Sequence, residues 1–500
     1  MVAAWCYERP TPMAASATDD PADDPTRKRI LEAPLAGAVL RFGTPLALAM
    51  VLQVMFNLVD QYLIAKLPAA VSDPSLDALG ICDMVAALGT ILSYGVSTGT
   101  ATLLAQHKGA GDEGAATRVA WGSIGIILAL GLAFGALGVV GADVIVHDLL
   151  GAKGVVRSLG VSYLRVIVGG GVTAFMMFQV TSLLRALGDS RTPLLTIAGG
   201  NALNLFLAVL FVYGPGEAPA VFSWGPPIAR ALGVPRMEVV GAAWATLLAR
   251  TVAIALPLWI LRRKLRVAER GASLVPPPDT LRAIVRIAWP TSAQFVVRVG
   301  AVLFVIALVH HFYTTPTNSD AGTAYALCLR LETMALFVSM GWGGCAQTFT
   351  GMCVGAGDVA RASRAGWYAT FYNATTMVLL ATLFVTQGHH ILGVFTQSAP
   401  VLSLATGYVA QVAPSYTLYG VAIVLGNAIM GAGATRLALR VDAALVLGAQ
   451  LPLMVAAVAL LHAPVEGLWR TIVAVNAINA VVYAALFWRS SWWLPKAVPA

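Results

Sequence analysis

The stretch "HKGAGDEGAATRVAW", residues 107–121, returns 246 residues later as "CVGAGDVARASRAGW", residues 353–367. Gly109, Ala110, Gly111 and Asp112 are thereby matched with Gly355, Ala356, Gly357 and Asp358. Two more pairs keep almost the same offset. "LRALGDSRTPL" (184–194) aligns with "IMGAGATRLAL" (429–439), and Pro45 of "GTPLALAMVLQ" stands 245 residues before Pro290 of "AWPTSAQFVV". The chain is a duplication. In each "GAGD" a glycine supplies positive φ for a tight turn, and the aspartate caps the following helix through its side-chain oxygen. The motif is read as a shared turn, not as a binding site.

What has been duplicated follows from composition. Of the 500 residues 58% are hydrophobic and 11% charged, with a mean hydropathy of +0.77; soluble proteins carry about a quarter charged residues. Twelve apolar runs lie near 43–65, 78–106, 119–141, 160–184, 193–213, 239–261, 283–312, 322–350, 366–386, 404–430, 437–461 and 466–488. Each has about the 20 residues a helix needs to cross ~30 Å of hydrocarbon. They are continuous rather than alternating, which excludes a β-barrel and leaves helices to satisfy the backbone in lipid. The expected fold is an all-α polytopic membrane protein of twelve transmembrane helices in two six-helix lobes. Six is even, so the repeat is parallel, an arrangement in which two bundles rock about a central site.

The expected organisation is a disordered cytoplasmic tail over 1–40, a first lobe over 41–261, a cytoplasmic linker over 262–282, a second lobe over 283–489 and a cytoplasmic tail over 490–500. The start has no signal-peptide order of charge, apolar core and cleavage site. The net charge of +8 is topological rather than a sign of nucleic acid. Lys108, Arg118, Arg185, Arg191, the run Arg262, Arg263, Lys264, Arg266 and Arg270, and Arg361, Arg364, Arg436 and Arg440 fall in alternate loops, which places both termini in the cytoplasm and the chain in the inner membrane. In the loop after the fourth run, Arg185, Asp189 and Arg191 read as positive-inside charge with a local ion pair. The five cysteines, Cys6, Cys82, Cys328, Cys345 and Cys353, lack metal or disulfide spacing and read as small buried hydrophobes.

Polar residues inside the runs carry the chemistry. Asp60 costs about 2.5–3.5 kcal/mol at a helix centre, so it needs a reason. It shares one helical face with Gln53 and Asn57, and Asn201 and Asn204 share a face of the fifth run. These two faces are expected to meet, because polar atoms in hydrocarbon must find partners. Asp60 lies six residues before Lys66, roughly 9 Å from the outer end of its helix, within reach of external protons. In the second half Arg298 is an intramembrane cation, either paired with an acid or lining a cavity; Glu332 is one candidate partner. Neither a phosphate-binding GxxxxGK[ST] nor an HExxH occurs, so an ATP-driven pump and a zinc hydrolase of that type are not indicated. No enzymatic activity and no cofactor is expected.

The order of Pro45, Gln53 and Asp60, "GAGD", "LRALGDSRTPL", "GNALN", "VVGAAWATLLA" and "ALCLRLETMALFVSMGWGGCAQTFTGMCVGAGD" (326–358) resembles the multidrug and toxic compound extrusion (MATE) transporters. Within the MOP flippase superfamily the pattern is nearest the DinF-like and archaeal type. The resemblance covers nearly the whole chain from about residue 40. It implies a monomer in the bilayer that exchanges amphipathic or cationic small molecules for H⁺ or Na⁺, with Asp60 as the coupling acid. Gln53, Asn204 and Thr246 match polar cavity residues of the family. Two positions depart from the pattern. Ala208 stands where the family often has a second acid, and Arg298 where some relatives carry an acid. A sodium site favours several hard oxygens, so only a weak one at Asp60 and Asn204 is expected, and H⁺ is the better coupling ion. Asp60 is then the sole carboxylate switch of the first lobe. The alternative is a lipid-linked precursor flippase of the same superfold.

Overall fold

The computed structural model describes residues 25–266, 273–315, 317–396 and 398–489. The first half contains α1 (Pro25–Leu31), α2 (Leu35–Ala65), α3 (Ala69–Ala110), α4 (Glu113–Asp143), α5 (Gly154–Ile167), α6 (Gly171–Ala186), α7 (Arg191–Tyr213), the short α8 (Gly225–Leu232) and α9 (Glu238–Lys264). The second contains α10 (Pro278–Tyr313), α11 (Asp320–Gly355), α12 (Val359–Gly393), α13 (Ala399–Val412), α14 (Tyr416–Gly431), α15 (Thr435–Leu445), α16 (Leu451–Val455) and α17 (Val465–Trp488). Among the described residues ten helical stretches are long and apolar enough to cross a membrane, α13–α14 and α15–α16 counting as one each. The pair α5 and α6, bent by 42° at a glycine-rich break, makes an eleventh. The twelfth, α3, is less apolar because its second half carries Ser93, Ser97, Thr98, Thr100 and Thr102. This is an all-α multi-pass membrane fold.

The duplicated turns form as their residues dictate. Gly111 and Gly357 adopt φ of 78° and 82°, and Asp112 and Asp358 each accept a backbone N–H at 2.8 Å, from Ala115 and Arg361. The repeat reaches into the packing. Cys82 Sγ donates to the Gly160 carbonyl at 3.3 Å, and Cys328 Sγ donates to that of Ala405 at 3.5 Å. All four described cysteines are buried, as small hydrophobes are.

The halves are joined by exchanged contacts: α2 packs on α11, and α10 on α3. Glycine makes the approach possible. A Cβ on Gly109 would stand 2.0 Å from the Met352 carbonyl oxygen, and one on Gly355 would stand 2.0 Å from that of Gln106. Further along, a Cβ on Gly95 would strike Ser292, and one on Gly341 would strike the Ala47 backbone. These are the same two contacts seen from each side of a pseudo-two-fold axis. Amides complete the seal: Gln347 Nε2 donates to the Thr98 carbonyl at 2.9 Å and to Thr102 Oγ1 at 2.8 Å, and Gln106 Nε2 donates to the Gly431 carbonyl at 3.0 Å.

The segment before α2 departs from the expected tail. Residues 25–31 are helical and α2 begins at Leu35, because this segment has partners at the lobe junction. Arg27 donates to the Gly109 carbonyl at 3.1 Å and Arg29 to that of Gly188 at 3.1 Å, while Arg361 donates to the carbonyls of Ile30 and Ala33. The α6–α7 turn also differs: Asp189 pairs with Lys264 of α9 at 2.7 Å rather than with Arg185, and caps α7 through the Thr192 backbone N–H at 3.0 Å. Burial pushes the Asp189 carboxyl up, but Lys264 and Thr192 outweigh it and hold it below its usual value. Residues 1–24, most of the 262–282 linker's centre and the 490–500 tail lie outside the described residues.

Two tests follow from this packing. Gly109→Ala should destabilise the protein in detergent by about 1–3 kcal/mol, the usual cost of overpacking, whereas Gly37→Ala, with open space around it, should not; thermal unfolding of both variants checks this. Because the Asp189 carboxyl lies below its unfolded value, its contribution is full above pH ~4 and is lost as pH falls further. Asp189→Asn should therefore lower the thermal midpoint at pH 7 and lose that difference in acid.

Candidate functional site

The first-lobe polar cluster is assembled by three helices. Asp60 sits in the last two turns of α2, 8% exposed, between α7 and α9. Asn204 of α7 donates through Nδ2 to Asp60 Oδ1 at 2.9 Å, and Thr246 of α9 donates to Oδ2 at 3.1 Å. Thr246 Oγ1 also lies 3.2 Å from Asn204 Oδ1, closing the triangle. All three are buried, where charge-assisted hydrogen bonds are strongest and an unsatisfied carboxylate is most costly. The faces of α2 and α7 meet here, and one turn away Asn201 Nδ2 donates to the Leu52 carbonyl at 2.7 Å. Asn57 is on the same stretch of α2, but its side chain lies outside what the structure describes.

Two further charged groups join this cluster. Asp83 of α3 is exposed and within electrostatic reach of Asp60, and Arg250 of α9 interacts with both acids. Asp60 is therefore not the sole carboxylate of the lobe. The sequence did carry a signal, since "LGICDMVAA" is an apolar run with one acid in it, as the last part of α2 is. Its partners are far away in the chain, and only packing reveals them.

Arg250 also borders a cavity with about 640 Å³ of atom-free space, its open mouth included. Gln53, Asn201 and Arg185 line it beside Met50, Met177 and Phe178. Gln53 and Asn201 thus reach the cavity rather than the Asp60 triangle.

The second lobe holds a different site. Arg298 Nε donates to Asp442 Oδ2 at 2.6 Å, Gln294 Nε2 donates to the same oxygen at 2.8 Å, and the Tyr483 hydroxyl donates to Oδ1. The Asp442 side chain is 7% exposed and that of Arg298 is 29% exposed, so the carboxylate is enclosed and the guanidinium keeps one side open. Asp442, not Glu332, is the partner of Arg298. Glu332 instead accepts from the Tyr408 hydroxyl at 2.8 Å and lines the same cavity as the ion pair. Gln53 and Arg298 stand 245 residues apart, at matched positions of α2 and α10. One lobe uses an amide where the other uses a cation. The acid that answers Arg298 comes from α15, where Asp442 lies close to the start of its apolar run.

Comparison with known proteins bears on both lobes. The MatE family model matches residues 45–210 and 295–455, one segment in each half. A probable multidrug resistance protein NorM of Thermotoga maritima is 23% identical over 90% of this chain and 91% of its own length. One of Deinococcus radiodurans is 28% identical over 86% of this chain and 90% of its own. A MOP superfamily transporter from Pyrococcus furiosus superposes with a TM-score of 0.80 at 21% identity, covering 94% of this chain and 98% of that one, and so shares the fold. With the family model spanning both halves of the duplication, the chain belongs to the MatE family of multi-pass membrane transporters and is not an enzyme.

Proposed function

We propose that this transporter exports amphipathic organic compounds by alternating access in exchange for protons, with Asp60 as the coupling carboxylate and no cofactor. The observation that carries the proposal is the enclosure of Asp60 by hydrogen-bond donors from two other helices. Asn204 turns its N–H to the carboxylate while its oxygen faces Thr246, so the group is dressed for a carboxyl rather than for a sodium ion seeking several oxygens. Asp60 and Asp83 together with Arg250 leave one net negative charge, which one monovalent cation neutralises. Removing that charge lets the α2, α7 and α9 contacts rearrange, because the hydrogen bonds of Asn204 and Thr246 are strongest to the ionised form.

The sealed end of the bundle is assigned to the cytoplasm, since Arg27, Arg29, Lys108, Lys264 and Arg361 gather there. The arrangement is then open outward, with Asp60 on the side from which protons arrive. The protein works as a monomer in the inner membrane, each lobe supplying half of the central cleft. The multidrug resistance names of the relatives support export over lipid-linked precursor flipping.

Reconstituted vesicles test this reading. An imposed pH gradient should drive uptake of an amphipathic dye, a sodium gradient alone should not, and Asp60→Asn should abolish the proton-driven flux. Asn204→Ala and Thr246→Ala should each slow it by about tenfold, the worth of one charge-assisted hydrogen bond. Full activity in Asp60→Asn, or equal drive by sodium, would overturn the proposal.

A further inference from the structure

Resting on the export reading above, the structure assigns the first-lobe cavity to amphipathic organic anions: Arg185 and Arg250 are placed to take the acidic head, and Met50, Met177 and Phe178 the apolar body. Among the described residues two guanidiniums line this cavity and no carboxylate does. Arg298 in the other lobe is answered by Asp442, and Arg250 is answered in part by Asp60 and Asp83. Arg185 is different. Among the described residues no carboxylate lies within ion-pair distance of it, and the hydrogen bond it donates goes to the Ser182 hydroxyl, at 2.9 Å. The acid nearest in sequence, Asp189, is taken by Lys264.

Position in the fold strengthens the point. Arg185 stands in the last turn of α6, where a basic residue would ordinarily extend toward water beyond the helix end. Its bond to Ser182, three residues back, folds the guanidinium toward the membrane interior. Its Nη1 lies 3.3 Å from where a Cβ on Gly344 would be, so it occupies the cleft between the lobes, in space left by a glycine of α11. A half-buried cation without a protein counter-ion is costly and attracts an anion from solution. Arg250 stands on the same wall with its charge offset by Asp60 and Asp83, so the charge without a described counter-ion is that of Arg185, and low-dielectric surroundings focus its field. Gln53 and Asn201 offer further polar atoms, the Thr181 hydroxyl is turned to the Met177 carbonyl, and the rest of the lining is apolar. A simple organic cation is repelled by this wall. An anion with a flat or aliphatic body satisfies both of its surfaces.

The test compares two probes that share an aromatic scaffold and differ in charge: 1-anilinonaphthalene-8-sulfonate, an anion, and N-phenyl-1-naphthylamine, which is neutral. Calorimetric titration uses the full chain in phosphatidylcholine nanodiscs against empty-disc blanks. The anion should bind at least about tenfold more tightly, with a preference that shrinks as salt rises. Arg185→Gln should remove most of that preference while leaving binding of the neutral probe unchanged, and Arg185→Lys should keep part of it. Equal binding of the two probes by the unmodified protein overturns the inference without any variant, as does an undiminished preference in a folded Arg185→Gln. Loss of the anion's binding when phosphatidylglycerol is included in the discs would also overturn it and give the site to a lipid head. The titration needs no ion gradient, so its outcome is separate from the vesicle test of proton coupling.

Discussion

Two peptide backbones meeting at Gly109 and Gly355 set the form of this transporter. Each glycine lets a carbonyl of the opposite helix come to where a side chain would otherwise begin. Because the two contacts are copies of one another, the halves meet symmetrically along α3 and α11, and the contacts of α2 on α11 and α10 on α3 continue the junction. Gln106 and Gln347 then satisfy carbonyls across the junction, which matters where lipid and protein offer no water to do so. Each of the two cavities is lined by residues of one half alone.

Within that frame, the cost of polar groups in a membrane decides how the functional residues are arranged. Asp60 is tolerated because α7 and α9 bring donors to both of its oxygens. Arg298 is tolerated because α15 brings Asp442, with Gln294 and Tyr483 completing the carboxylate's shell. The lobes have diverged in opposite directions from one ancestral plan. The first concentrates negative charge near the end of α2 and has two guanidiniums on its cavity; the second ties its guanidinium to an acid. Such asymmetry is what the proposed coupling through Asp60 requires of the first lobe.

Legibility in the sequence varied with the range of the interaction. The "GAGD" turns were readable because glycine at positive φ and an aspartate cap act within four residues. The meeting of the Asp60 and Asn204 faces was readable because helical periodicity places side chains on faces and hydrocarbon forbids unpaired ones. Asp83 and Asp442 were missed, although each is an acid in an apolar run, since their significance comes from Arg250 and Arg298, far from them in sequence. The helical turn at 25–31 was also missed: its composition is that of a tail, and it is ordered by carbonyls of the GAGD and α6–α7 turns.

By itself the sequence determined a twelve-helix duplicated membrane fold, the parallel relation of its halves and a carboxylate at Asp60 in need of partners. These follow from local rules, namely run length, offset and the desolvation cost of an acid. The tertiary structure alone decided which partners each charge received, that Arg298 is answered from α15 and that Arg185 is not answered by any described acid. Such outcomes depend on which helices lie side by side, and side-by-side packing is set by contacts between residues up to hundreds of positions apart.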